Sequence, residues 1–508
     1  MKLNTEIRPT FFDEAKAKLN FATNVLKNAK DFDDAKKAVD LYNDAYTEVA
    51  SKFSCIFLKM NQDLTDEETV SSYYANSSSF ADCMYYDDFY YAMKESPFYN
   101  ELRAYMGVPF VEWLKFSAEL NSIATDADSP STSEILMQYQ TLAVQANGDY
   151  GQFAEQFDEI LQKLVETNCS MAKFYGYENF CDYGHKTIMR FDYGKEEVVK
   201  LCERVCEVVV PYYQQFRKTY AEILSQEEPA VNDIVAGMSA YTKSLGKEAH
   251  EYWTTLHNND WLDLLPSPTK MPGMGMQRFI ENIGVGPIIA NPDDKFTIGW
   301  MVAHEFGHSL QEWLSYKNLP FTFNILSSAD MLEISSRSME LFLYAHAKDL
   351  YENSENYCIV HLDGLMRSMI SFAMGTIYEH WIYNNIDATK KERKDKYISL
   401  YRQTHPWKDI EDKDIIAMLY SDSLLFTMPT YQFCYVPAWI LAVEMVKDYK
   451  SNPDATYKKY LDINTNLPIM GYYDIIKKYD MHNIFEENSM HLFTKWIDEL
   501  IDQYVKNK

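Results

Sequence analysis

The sequence is short of positive charge. Among its 508 residues, 48 Lys and Arg face 75 Asp and Glu, a formal net charge of −27. Nucleic acid and anionic membranes attract Lys/Arg patches, and no long basic run is present, so neither is expected as a main partner. The acidity serves solubility, or biases a cleft toward cationic peptides. A disulfide framework is also missing. The eight cysteines (Cys55, Cys83, Cys169, Cys181, Cys202, Cys206, Cys358 and Cys434) are scattered, with no C-x-x-C pair. That is the pattern of a reducing compartment, where thiols act as small apolar residues. Cys202 and Cys206, four apart, make a poor zinc site and a good core face. No apolar run approaches the about twenty residues a membrane span needs; the longest near the C-terminus, Tyr435 to Val446, carries Glu444. Met1 to Glu6 shows no charged-then-apolar signal pattern. A soluble, cytoplasmic protein is expected.

Alternating strand patterns are scarce, and there is no internal repeat or low-complexity tract. What is present is helical periodicity in a chain of ordinary globular composition, 47% apolar and 24% charged. Val198, Leu201, Cys202, Val205, Cys206 and Val209 mark one face of a 3.6-residue helix, which Pro211 is expected to break or kink. Three stretches read as loops: Asn121 to Pro130, Asn258 to Gly275 and Gly284 to Asp294. Ser131 to Glu134 resembles a capping box. Pro287-Ile288-Ile289-Ala290 is a short apolar run of strand type. A boundary near 130–150 divides an N-terminal helical region, residues 1–150, from residues 151–508.

The run His304-Glu305-Phe306-Gly307-His308 lies in an amphipathic pattern from Trp300 to Leu314. At about 100° per residue, Phe306, Leu310, Trp313 and Leu314 fall on one side and the two histidines on roughly the other. Histidines at i and i+4 can share one tetrahedral metal. Glu305 beside them can take a proton from a metal-activated water and deliver it to a leaving amine. With 11 histidines in 508 residues, and Glu at about one residue in fifteen, chance predicts roughly 0.02 such motifs.

A catalytic zinc needs a third protein ligand and an open position. The next helical segment, Ser327 to Phe342, supplies Glu333 as that ligand. Glu340, seven residues on and on the same face, is then an acceptor orienting a ligating histidine. Its bland alternative is an ion-paired surface glutamate. Ser327 and Asp330 are expected to cap this helix.

Taken together, His304-Glu305-Phe306-Gly307-His308 and Glu333, in the frame Glu-x-x-Ser-x-x-x-Glu, resemble the thimet oligopeptidase and oligoendopeptidase F family of zinc peptidases, most of all its bacterial oligoendopeptidase F-like branch. The segments Phe174–Phe180, Met189–Tyr193, Tyr378–Tyr383 and Pro429–Tyr435 are similar too, so the resemblance covers roughly residues 165 to 450. It implies a mainly α fold: a large helical peptidase with a deep channel, a small β-sheet at the cleft edge, and residues 151–508 as the catalytic region. It implies one Zn2+ per chain held by His304, His308 and Glu333, and short unstructured peptides as substrates. Tyr435 matches a tyrosine that donates to the tetrahedral oxyanion, and Tyr431 is a weaker match to a residue lining the substrate channel. Pro287 to Asn291 is expected near the cleft edge, where a strand can pair with substrate backbone.

Two departures stand out. The histidine that the family carries about eleven residues before the tyrosine is Leu424 here, and Gly273 to Gly275 differs from the family's upstream pattern. Losing one oxyanion donor costs on the order of a hundredfold in rate. Two alternatives therefore stay open. One is a carboxypeptidase Taq-like metallocarboxypeptidase, which needs a cation near the zinc to hold a terminal carboxylate. The other is a catalytically impaired zinc-containing peptide-binding protein, against which the intact Glu305 argues.

Overall fold

The computed structural model describes residues 1–123, 130–271 and 273–506. Most of the expected loop at 121–130 falls at residues 124–129, outside the described residues. Helices carry the chain almost throughout, and three short strands form one sheet. No described helix is long and apolar enough to cross a membrane. All eight cysteines are free.

The long helix Phe32–Gln62 opens under the carboxylate of Asp31, which accepts from Asp34 N at 2.9 Å. Ala35, Ala38, Val39, Tyr42, Ala45, Tyr46 and Val49 form its buried stripe against the helix Phe11–Lys27. That core does not close on itself. Phe323, from the turn Thr322–Ile325, enters it and stacks on Phe110 at 4.2 Å. Asn324 Nδ2 donates to Met106 O at 2.7 Å. The connection between the two helices that carry the His and Glu motifs is thus anchored in the N-terminal core.

The sheet order is β1-β3-β2, with β1 Leu262–Asp263, β2 Met274–Gln277 and β3 Ile288–Asn291. β3 runs parallel to β1 and antiparallel to β2, with Gly275 opposite Ala290. The family resemblance implies that Pro287 to Asn291 lies near the cleft edge, where a strand can pair with substrate backbone. Instead β3 is central and buried, with both of its edges spent. The expected loop at 258–275 contributes the outer strands; they are too short to show an alternating pattern and exist by pairing with β3. Ile289 packs on Cys55 and Leu58, so the Phe32–Gln62 helix backs the sheet.

Three local expectations change. Pro211 does not end its helix. A π-helical segment, Val205–Val209, joins Lys195–Arg204 to Val210–Thr219. Proline has no N–H to offer the carbonyl four residues back, and the wider turn absorbs that missing bond. The capping box at Ser131 to Glu134 does not form; the helix Ser133–Ala146 starts after Thr132 without a side-chain cap. The helix Ala329–Leu350 likewise has Ser328 at its N-cap with no side-chain bond. Ser327 Oγ donates to Leu467 O, while Asp330 is engaged elsewhere.

Asp330 receives Arg190 Nε on one oxygen and Nη2 on the other, both at 2.7 Å, and Tyr193 OH as well. The Arg190 and Asp330 side chains are 0% and 3% exposed. A buried pair of this kind is costly to break from one side, because the surviving charge is stranded. Arg190→Ala is expected to lower stability by about 3–5 kcal/mol, read from urea unfolding. A loss under about 1 kcal/mol would show that Asp330 finds solvent or protonates cheaply.

Candidate metal centre

The motif helix, Thr297–Asn318, and the glutamate helix, Ala329–Leu350, lie against each other through small residues. A Cβ on Gly307 would stand 2.7 Å from Ser336 Cα and 2.9 Å from Ser335 O. Only glycine permits that approach. Phe306 and Leu310 fill the opposite side and are fully buried. His304, His308 and Glu333 therefore meet across the helix interface.

His304 Nε2 lies 3.2 Å from His308 Nε2. Glu333 Oε2 lies 3.4 Å from His304 Nε2 and 3.7 Å from His308 Nε2. Ligand bonds of about 2.0–2.2 Å in tetrahedral geometry put donor atoms roughly 3.3–3.6 Å apart. The three atoms are thus spaced as one face of a zinc coordination tetrahedron, and the two-imidazole, one-carboxylate donor set suits that metal. Among the described residues no other group of His, Cys, Asp or Glu converges this way.

Partners beyond the cluster fix its protonation. Glu340 Oε1 lies 2.6 Å from His304 Nδ1, which leaves the lone pair on Nε2, facing the cluster. Glu340 also receives Arg337 Nη1 at 2.7 Å and His361 Nε2 at 2.8 Å. Tyr344 OH closes the chain on His361 Nδ1 at 2.9 Å. Burial opposes the charge on Glu340, yet Arg337, His304 and His361 hold its carboxyl well below the usual range. Burial likewise works against Glu333, and His308 with His304 brings it down to about 2. Both glutamates are ionised.

Glu305 is buried beside the cluster. Desolvation pushes its carboxyl up, only partly offset by His304 and His308. The edge strand β2 passes directly over it: a Cβ on Gly275 would lie 3.0 Å from Glu305 Oε1 and 2.6 Å from Met301 Cγ. Gly275 belongs to the stretch that departs from the family pattern, and its missing side chain is what lets the strand reach the glutamate.

The two tyrosines sit together, ring centroids 5.8 Å apart. Tyr431 OH donates to Glu333 Oε1 at 3.2 Å. Tyr435 stacks on Phe372 at 4.5 Å and lies under the Arg337 guanidinium at 5.0 Å. Burial, then the Glu333 charge, raises its hydroxyl well above an ordinary phenol, so it remains a donor. Leu424 lies on the short helix Ser423–Thr427. Sequence reasoning missed Arg337 and His361. Arg337 shared the face of Glu333 and Glu340, four and three residues away, and that spacing was the available signal. His361 had none, being on the following helix Tyr357–Asn384.

Residues 247–463 match the sequence model of Peptidase family M3. That segment of the chain is similar to peptidase family M3. It contains the whole sheet, the three converging ligand atoms, Glu305 and both tyrosines, and the protein is a peptidase. No curated protein matches the sequence. Solved structures share its fold over nearly the whole length. PZ peptidase A with an inhibitor is 20% identical, with 99% of each chain covered and a TM-score of 0.84. A candidate oligoendopeptidase F from Bacillus anthracis str. Ames is also 20% identical, covering 98% of this chain and 96% of that one at a TM-score of 0.78. A Pyrococcus furiosus carboxypeptidase is 12% identical over 98% of this chain and 99% of that one, with a TM-score of 0.59. The helices before residue 247 thus share their fold with these structures but lie outside the M3 match.

Proposed function

We propose that the protein is a cytoplasmic, zinc-dependent oligoendopeptidase that cleaves internal bonds of short, unstructured peptides. The observation that carries this reading is the spacing of His304 Nε2, His308 Nε2 and Glu333 Oε2, with a buried Glu305 beside them under an open strand edge. Those three atoms would hold the ion. A bound zinc supplies Lewis acidity toward water and the scissile carbonyl. Glu305 takes the proton of the attacking water and passes it to the leaving amine; a carboxyl raised by burial is suited to both roles. Glu340 holds the His304 ring through Nδ1. The outer edge of β2 is the backbone an extended peptide can pair with, which would lay the peptide across Glu305.

Tyr435 OH is assigned to the oxyanion. Tyr435→Phe is expected to lower kcat by about a hundredfold to a thousandfold with zinc content unchanged. An unchanged kcat would return Tyr435 to a packing role. The reading as a whole is tested with a quenched peptide capped at both ends. Internal cleavage, with one zinc per chain, is the expected result. Cleavage confined to peptides with a free C-terminus would favour a carboxypeptidase, and binding without cleavage would favour an impaired peptide-binding protein.

A further inference from the structure

A cavity of about 730 Å³ opens beside the metal centre. Arg337, Trp439 and Phe372 form part of its wall, and Phe372 is the ring on which Tyr435 stacks. Trp300, one turn before His304, contributes from the motif helix. The volume is that of a small-ligand site.

Four carboxylates and three arginines line this cavity. Three of its four carboxylates are already used. Glu340 is occupied by His304, Arg337 and His361. Asp294 accepts from the backbone N–H groups of Phe296 and Thr297 and from the Thr297 hydroxyl. Asp363 accepts from Tyr213 OH at 2.8 Å and faces Arg217 at 3.5 Å. Glu228 is the exception, and it is exposed to water. Among the cations, the Arg367 side chain makes no hydrogen bond or ion pair among the described residues. The buried Nε of Arg337 makes no hydrogen bond either, with Glu333 Oε2 standing 4.0 Å away. In a chain of net charge −27, two guanidinium groups with donors to spare, set among aromatic walls, single out a planar anion. A carboxylate matches the guanidinium fork.

We propose that this cavity is a subsite for a carboxylate of the bound peptide, with Arg367 at its exposed side and Arg337 at its buried wall. The assignment rests on the peptidase reading for the identity of the ligand. The carboxylate has two sources, an Asp or Glu side chain and the peptide's free C-terminus.

Binding separates these from each other and from the chemistry. Zinc-loaded, full-length Glu305→Gln protein is titrated with fluorescent peptides in matched pairs. One set scans Glu against Gln through each position; the other compares a free with an amidated C-terminus. At least one pair is expected to favour the carboxylate by about tenfold or more. Adding Arg367→Gln is expected to abolish that preference while leaving the carboxamide partner's affinity unchanged. A preferred Glu position identifies a side-chain subsite, and a preferred free terminus identifies a C-terminal one. Equal affinity within every pair, or a preference that survives Arg367→Gln, overturns the proposal. The same peptides are offered to protein with Glu305 intact. If none is cleaved while the carboxylate preference persists, the peptidase reading fails and the subsite stands. If all are cleaved and no pair differs in binding, the reverse holds.

Discussion

Glu333→Ala is expected to give a folded protein that no longer retains zinc. The carboxylate is one of three protein donors, and its charge is what the two histidines and Arg337 are arranged around. Removing it leaves two neutral imidazoles for a dication, with Arg337 nearby held by Glu340 alone. Partners that merely orient a ligand cost about 10- to 100-fold in metal affinity; loss of a ligand should exceed that range. Metal analysis after dialysis is the readout, with Glu340→Gln as the graded control, expected within the range. Hydrolysis should fall to background in Glu333→Ala and recover in part for Glu340→Gln at high zinc. The helix itself is secured by Arg190 on Asp330 and by Gly307 against Ser335 and Ser336, so far-UV circular dichroism should not change. Full zinc retention in Glu333→Ala would eliminate the three-donor assignment.

How much of this site could be read from the chain depended on sequence separation. His304, Glu305 and His308 share one helix, so their common orientation followed from 3.6-residue geometry alone. Glu333 and Glu340 did so for the same reason on the next helix. What joins the two helices was less legible. Gly307 looks like an ordinary motif filler, and only the structure shows the Ser335–Ser336 backbone lying where a side chain would be. Arg337 reads as a solvated helix cation until Glu340, Tyr435 and Trp439 close around it. β2 was unreadable: four residues containing a glycine form a strand because β3 offers its edge and the Phe32–Gln62 helix supports β3 from behind. The sheet's order, which moved the open edge from β3 to β2, is a tertiary fact that no local pattern encodes.

Glu305→Gln should show the opposite dissociation from Glu333→Ala: zinc retained, turnover lost. Glutamine keeps the size and one carbonyl oxygen of glutamate but cannot accept and release the transferred proton. General acid–base groups contribute about a hundredfold to ten-thousandfold, and kcat should fall by that much. KM should change little, because β2 and the Arg337 cavity are untouched. Stability should move the other way. Burial raises the Glu305 carboxyl above its ordinary 4.5. A raised folded-state value means the native protein binds the proton more tightly than the unfolded chain does. Its ionisation therefore costs stability, accruing as pH rises from about 4.5 through the folded value and constant above it. The substituted carboxamide never ionises, so the metal-free variant should melt at or above the wild-type Tm at pH 8 and match it most closely at acid pH. An active site that sacrifices stability for an ionised buried base predicts this pairing of lost turnover with undiminished or higher Tm. Turnover within threefold of wild type would remove Glu305 from the proton path and pass the role to another group within reach of the attacking water.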